Sequence, residues 1–185
     1  MRPAEGSAGQ DQQLIAQIAA GDRRAFRRLV EIYSDRLHRF ILRQVRRPAV
    51  AEELLQETFL RAYRAAPRYE TRAPLSSWLF RIAANLCLNE AAAARSRHEV
   101  LVEAPEPDAT APSPAEQLAQ KEVSAAIETA LAALPPQQRA AVQLARFEQM
   151  SYAEIGEVLG VSPAAVDGLL QRARQTLRKE LRHLS

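Results

Sequence analysis

Three side chains on one predicted helix, Trp78, Arg81 and Asn85, stand at i, i+3 and i+7 and so share a stripe. An indole that stacks, a guanidinium that seeks phosphate and a carboxamide that pairs with a base edge are what capture of a nucleic-acid single strand requires. The polar loop ahead of the stripe, Arg68-Tyr69-Glu70-Thr71-Arg72-Ala73-Pro74, offers Tyr69 and Arg72 to hold an extruded base. The same spacing also suits a packed Trp78 with Arg81 lying over it. A second set comes from Glu53, Gln56, Glu57 and Leu60, which share one helical face while Leu55, Phe59 and Ala62 form a buried stripe. That face suits a cationic partner with a small apolar contact. On spacing alone the simpler reading leads: a solvated face with a Glu57–Arg61 pair, worth about 0.2–0.5 kcal/mol.

The chemistry that the chain lacks narrows the field. Cys87 is the only cysteine, which excludes an internal disulfide framework and a multi-thiolate zinc site. His38, His98 and His183 are scattered, and His98-Glu99 is followed by no second histidine at zinc-protease spacing. The six glycines form neither GxxxxGK[ST] nor GxGxxG. No metal, cofactor or small-molecule substrate is expected, and the chain does not read as an enzyme. No run reaches eighteen apolar residues and the start, MRPAEGSAGQ, has no signal-peptide stretch, so a cytoplasmic location is expected.

At 185 residues the chain has room for one ordinary domain or two small ones. Its formal charge of +3 hides an uneven distribution. Residues 11–96 hold 15 arginines against 9 acids, residues 97–115 hold one arginine against four acids, and residues 116–185 balance at 8 and 8. The last eighteen residues carry five cations against Glu180 alone. Cationic surfaces therefore flank an acidic middle, RHEVLVEAPEPDATAPSPA. Its prolines, Pro105, Pro107, Pro112 and Pro114, block helix, and about twenty residues of it could span up to roughly 65 Å. A loop of that length is uncommon inside one compact domain. Two domains on a tether are expected: 1–95, a linker over 96–115, and 116–185.

Both domains read as all-α. In the first, Asp11 is expected to cap a helix over 12–20, Gly21-Asp22 to break and recap, and Phe26, Leu29, Val30, Tyr33, Leu37, Phe40 and Ile41 to line a second helix that Pro48 stops. Helices follow over about 50–65 and 75–94, the latter turning Leu79, Ile82, Ala83 and Leu86 inward. Eight of the ten aromatic residues lie here, so this domain has the larger core. In the second, helices are expected near 116–133 and 136–147. Ser151 and Glu154 form a capping box for a helix over 152–159, Gly160 supplies a turn, and Ser162-Pro163 opens a last helix to about Leu181. Two helices joined by a short glycine turn, the second bearing Arg172, Arg174, Arg178, Lys179 and Arg182, are a helix-turn-helix signature.

The segment EELLQETFLRAYRA, a loop and SSWLFRIAANL resemble region 2 of the extracytoplasmic-function (ECF, group IV) sigma factors of bacterial RNA polymerase. ALPPQQRAAVQLARFEQMSYAEIGEVLGVSPAAV with LLQRARQTLR resembles their region 4, and GDRRAFRRLVEIY fits the start of the pattern. The resemblance implies an alternative sigma factor that binds core RNA polymerase, directs it to promoter DNA and initiates transcription. It implies that Glu53, Gln56 and Glu57 dock on the clamp helices of the β′ subunit, with the β subunit as a further contact. Asn85 matches the asparagine associated with −10 recognition, and residues 69–75 match the loop that receives a flipped base, joining Tyr69, Arg72, Trp78 and Arg81 to that site. Ser162, Asp167, Arg172 and Arg174 fall on the helix that would enter the −35 major groove. The acidic linker resembles the one that threads the polymerase channels. An anti-sigma factor, often membrane-linked, is also implied, which would hold the chain at the inner membrane.

The chain departs from the family pattern in two places. Asn89-Glu90-Ala-Ala-Ala-Ala-Arg95 replaces a denser basic run, and Val166 is followed by Asp167-Gly168 where basic or hydroxyl residues are usual. Asp167 would repel phosphate or accept from a cytosine amine. Cys87, on the apolar helix, is expected to be buried packing. Two rival classes follow from these features: a stand-alone helix-turn-helix regulator that never touches polymerase, and a polymerase-binding protein blind to promoters.

Overall fold

The computed structural model describes residues 8–69, 74–97 and 125–182. Among these the chain is all helix, with no strand. The expected loop residue Arg72, residues 98–115 of the expected linker, and the first part of the helix expected near 116–133 lie outside the described residues; Ser96, placed in the linker from sequence, instead ends the last helix of the first half, with Arg97 as its C-cap.

The first half is a bundle of four helices: α1 (Ala8–Ala19), α2 (Arg23–Val45), α3 (Pro48–Ala65) and α4 (Leu75–Ser96), with a 3-10 turn over Ala66–Arg68. Helix α1 starts earlier than expected, so Asp11 sits in its first turn, where a carboxylate suits the helix dipole, and not at its N-cap. Asp22 does cap α2, its Oδ1 accepting from the amides of Arg24 (2.7 Å) and Ala25 (3.3 Å). Helix α2 ends before Pro48: Arg46 turns left-handed at φ 55° and its amide bonds Leu42 O, leaving Pro48 to open α3. Tyr33, Leu37, Ile41, Leu79 and Phe80 are fully buried between these helices, each large apolar side chain contributing about 1.5–3 kcal/mol. Phe40 and Phe80 meet edge to face at 5.3 Å.

The second half comprises α5 (125–132), α6 (Pro136–Arg146), α7 (Tyr152–Leu159) and α8 (Pro163–Glu180). The capping box forms in full: Ser151 Oγ accepts from the Glu154 amide (3.3 Å) while Glu154 Oε2 accepts from the Ser151 amide (2.7 Å). Gly160 closes α7 with φ 68°, a left-handed conformation that costs glycine little. Gly156 is required for a different reason, since a Cβ there would stand 2.7 Å from Val161 O across the turn. Ser162 caps α8 by accepting from the Ala165 amide (3.2 Å). Ala140, Leu144, Ile155, Val158, Val166 and Leu170 form the core beneath the turn.

The two halves touch. Helix α7 packs on α4, α6 packs on α2 and α4, and one apolar cluster runs through both bundles.

Candidate nucleic-acid interface

Helix α4 has a buried arc of about 200°, from Leu75 and Leu86 through Leu79, Ala83, Cys87 and Phe80 to Ser77, about twice an ordinary core-facing stripe. It is this wide because α2 and α3 pack on one side and α7 on the other. The remaining arc carries the sequence-predicted stripe. Arg81 and Asn85 are exposed, and Trp78 is half-buried against the core with its ring 4.8 Å from that of Tyr69. Tyr69 therefore braces the indole from the end of the 3-10 turn. Burial, then the nearby Asp11 carboxylate, raises its phenol above the ordinary value. Trp78 combines the two sequence-level alternatives: it packs on one side and keeps part of its surface accessible. Ile82, expected inside, is only half-buried.

Helix α3 presents Glu53 and Gln56 to solvent, with Glu57 half-buried at their side. Glu57 accepts from Arg61 Nε (2.6 Å), the i,i+4 pair expected from the spacing. Thr58 is turned inward and its hydroxyl donates to Leu54 O (2.7 Å), so a polar residue is buried without cost to the stripe of Phe59 and Ala62. Leu60 is 47% exposed beside the acidic face. An acid, an amide and an uncovered leucine on one surface suit a docking face better than a purely solvated one.

Helix α8 buries Val166, Leu169, Leu170 and Ala173. Opposite that stripe lie Gly168, Gln171 and Gln175, flanked by the exposed Arg172 and Arg174, which stand about 160° apart and so serve opposite edges of the face. Asp167 accepts from Gln171 Nε2 (2.8 Å), which ties its carboxylate to the helix surface. The Ser162 hydroxyl is engaged as the N-cap. Gln171 and Gln175 were not singled out from sequence, yet helical spacing from Gly168 would have found them. Two flanking guanidiniums around amides match backbone clamping with major-groove contact.

Cys87 is 3% exposed; burial chiefly pushes its thiol up to about 12, with Arg139 opposing and Glu90 adding to the shift. Among the described residues no group of histidine, cysteine and acidic side chains could hold a metal ion, and no helix is long and apolar enough to cross a membrane.

Paired helical bundles, one carrying the Trp78–Arg81–Asn85 stripe and the other a helix-turn-helix, are the architecture of a promoter-recognition class of protein. The comparisons with known proteins agree. Residues 29–97 match the Sigma-70 region 2 family and residues 124–177 the Sigma-70, region 4 family. The ECF RNA polymerase sigma factor SigM of Mycobacterium tuberculosis is 34% identical, over 99% of this chain and 92% of its own. SigW of Bacillus subtilis is 29% identical over 92% of this chain and 96% of its own. Among solved structures, CnrH in complex with the cytosolic domain of CnrY superposes with a TM-score of 0.70 at 28% identity, covering 97% of this chain and 100% of that one. The chain belongs to the ECF RNA polymerase sigma factor family.

Proposed function

We propose that the chain is a dissociable initiation factor that docks on core RNA polymerase through α3, captures the −10 element with α4 and anchors −35 DNA with α8. Its contact on the polymerase is the clamp helices of the β′ subunit, met by Glu53, Gln56 and Glu57, with the β subunit as a further contact. The observation that carries this reading is the pairing, on adjacent helices of one bundle, of the acidic face of α3 and the stripe of half-buried Trp78 with exposed Arg81 and Asn85. Capture proceeds by side-chain chemistry alone: a base unstacks against Trp78, braced by Tyr69, Asn85 reads an edge, and Arg81 holds the backbone. Arg72, which lies outside the described residues, completes the set of side chains assigned to the flipped base. The factor itself performs no bond chemistry and uses no cofactor, so its work is cytoplasmic positioning of the polymerase.

The domain division follows the same reading: residues 1–95 for docking and melting, 96–115 as linker, 116–185 for −35 anchoring. Control by an anti-sigma factor, membrane-linked and holding the chain at the inner membrane, is part of the proposal. It is supported by the family and by CnrH having been solved with a second protein's cytosolic domain.

Transcription of fragmented genomic DNA by core polymerase, with and without the chain, tests the reading. New start sites sharing a two-element upstream motif are expected only with the chain; start sites that are unchanged contradict it.

A further inference from the structure

One end of the first bundle carries a cationic surface that neither the docking face nor the capture stripe uses. Helices α2 and α3 run antiparallel, and the start of one meets the end of the other through aromatic rings. Phe26 stands edge-on to Tyr63 at 5.1 Å and to Phe59 at 6.4 Å. Counted at about 100° per residue, Arg23 and Arg27 lie about 60° and 100° round α2 from Phe26, turned away from the buried Ala25 and Leu29. Arg64 lies about 100° round α3 from Tyr63, turned away from the buried Phe59 and Ala62, and Arg68 follows in the 3-10 turn. Because the helices are antiparallel, equal rotations carry both sets to the same side of the pair. Four exposed arginines therefore border the ring of Tyr63, itself 40% exposed.

The fold does not compensate these charges. Among the described residues none of the four guanidiniums makes an ion pair or a hydrogen bond. Asp22 is engaged as the α2 cap, Glu57 takes Arg61, and Glu31, one turn beyond Arg27, forms no pair with it. Helix stability does not explain them either. The first turn of α2 has no acid, and Arg23 and Arg24 stand at its positive end, where a cation is disfavoured. Like charges gathered without partners suit a surface that meets an anion. An exposed aromatic ring among arginines narrows that anion to single-stranded nucleic acid, whose bases stack on the ring while its phosphates take the guanidiniums.

The course of the strand rests on the reading given under Proposed function. Tyr69, whose ring is 4.8 Å from that of Trp78, directly follows Arg68, so the cationic surface begins where the capture stripe ends. The opposite end of the bundle faces the second half. There the Arg47–Glu90 pair ties the last turns of α4 to the start of α3, and at the seam between the halves Arg139 donates to Gln44 O (3.0 Å). Arg23 and Gln44 stand about 32 Å apart along α2. With α8 on the upstream duplex, a strand captured along Asn85, Arg81 and Trp78 leaves the bundle downstream over Arg68, Arg64, Arg27 and Arg23.

We propose that Arg23, Arg27, Arg64 and Arg68, with Tyr63 as a stacking platform, form a second single-strand site that holds the opened promoter strand downstream of the captured base. Charge and stacking read no base edge, so this site lengthens the hold on the melted strand without narrowing promoter choice.

Holoenzyme assembled from the full-length chain and core polymerase tests it on fork DNA. The captured strand either ends at the −10 element or continues downstream for about four nucleotides, one per guanidinium. The extension should tighten binding by wild type. The Arg23→Gln/Arg27→Gln/Arg64→Gln/Arg68→Gln variant should forfeit about 10-fold of that gain and lower the slope of log affinity against log salt by about 2–3, with core association and short-fork binding unchanged. Tyr63→Ala should lose about 5-fold or more of the gain and keep the slope. An extension that gains as much in the quadruple variant as in wild type would overturn the site. So would a quadruple variant that loses core association, which would assign the arginines to an acidic surface of the polymerase. A wild-type chain that forms no core-dependent fork complex would defeat the initiation-factor reading instead. Binding of the free chain to a single-stranded oligonucleotide, wild type against quadruple variant, would then still decide whether these arginines hold nucleic acid.

Discussion

Under the proposed function, the two halves of the molecule meet nucleic acid with different chemistry. The first fills its core with aromatic residues and long helices, and can leave varied groups outside: an indole, an amide and a guanidinium on α4, acids and an amide on α3. The second has a core of small aliphatic residues under a tight turn, and its outer helix face offers Gly168, Gln171 and Gln175 between two arginines. The first half is equipped to discriminate bases once they leave the stack. The second is equipped chiefly to hold a duplex by charge. Sequence preference should therefore reside mostly in α4 and the salt sensitivity of duplex binding mostly in α8.

The largest effect should come from the docking face. Gln56→Ala with Glu57→Ala should weaken association with core polymerase by about 30-fold or more, the scale of a lost hot spot of ~2 kcal/mol, with circular dichroism unchanged. Unaltered affinity would remove docking from the first half. Next, Asn85→Ala should reduce open-complex formation by about 10- to 100-fold, as expected for one base contact worth ~1–3 kcal/mol, and leave −35 duplex binding intact. Equal losses in both assays would erase the contrast between the halves. Arg172→Ala and Arg174→Ala should each lower the slope of log affinity against log salt by about 1, uniformly across sequences. A change confined to one promoter would mean that these arginines read bases.

Two smaller effects compare the halves as folded units. Cys87 of the first half has its thiol pushed up to about 12, so the folded chain keeps the proton that an unfolded thiol sheds near pH 8.5. Its stabilising contribution is complete below about pH 8.5 and is lost as pH rises toward 12, by about 1 kcal/mol at pH 9.5. Denaturant melts of wild type and Cys87→Ala across that range should converge as this difference disappears. Ser151→Ala should cost the second half about 1 kcal/mol through loss of the α7 cap, read as a lower midpoint in urea. A midpoint that does not move would show that solvent replaces the cap fully.

Local signals were legible because they act over one helical turn. Asp22, the Ser151–Glu154 box, Gly160 and Ser162-Pro163 each appear where residue type and spacing place them. Where two local signals competed, the outcome depended on backbone geometry: Asp11 lost the cap because α1 begins earlier, and Arg46 closed α2 before Pro48 could. The candidate stripe on α4 was readable as a pattern, but its bracing by Tyr69 depends on the fold of the 3-10 turn. The seam was not readable. Arg36 and Glu148 are 112 positions apart, and Arg139 is a charged residue that sequence alone places on the surface. Its burial follows only from the carbonyls of Gln44 and Leu134 arriving beside it.

Size-exclusion chromatography of the purified chain with and without bacterial core polymerase is the most direct measurement of the central claim. Stoichiometric co-migration with core, lost in the Gln56→Ala/Glu57→Ala variant, is the predicted result. A chain that elutes alone beside transcriptionally active core, with no inhibitor bound, would contradict the account and leave a stand-alone DNA-binding regulator in its place.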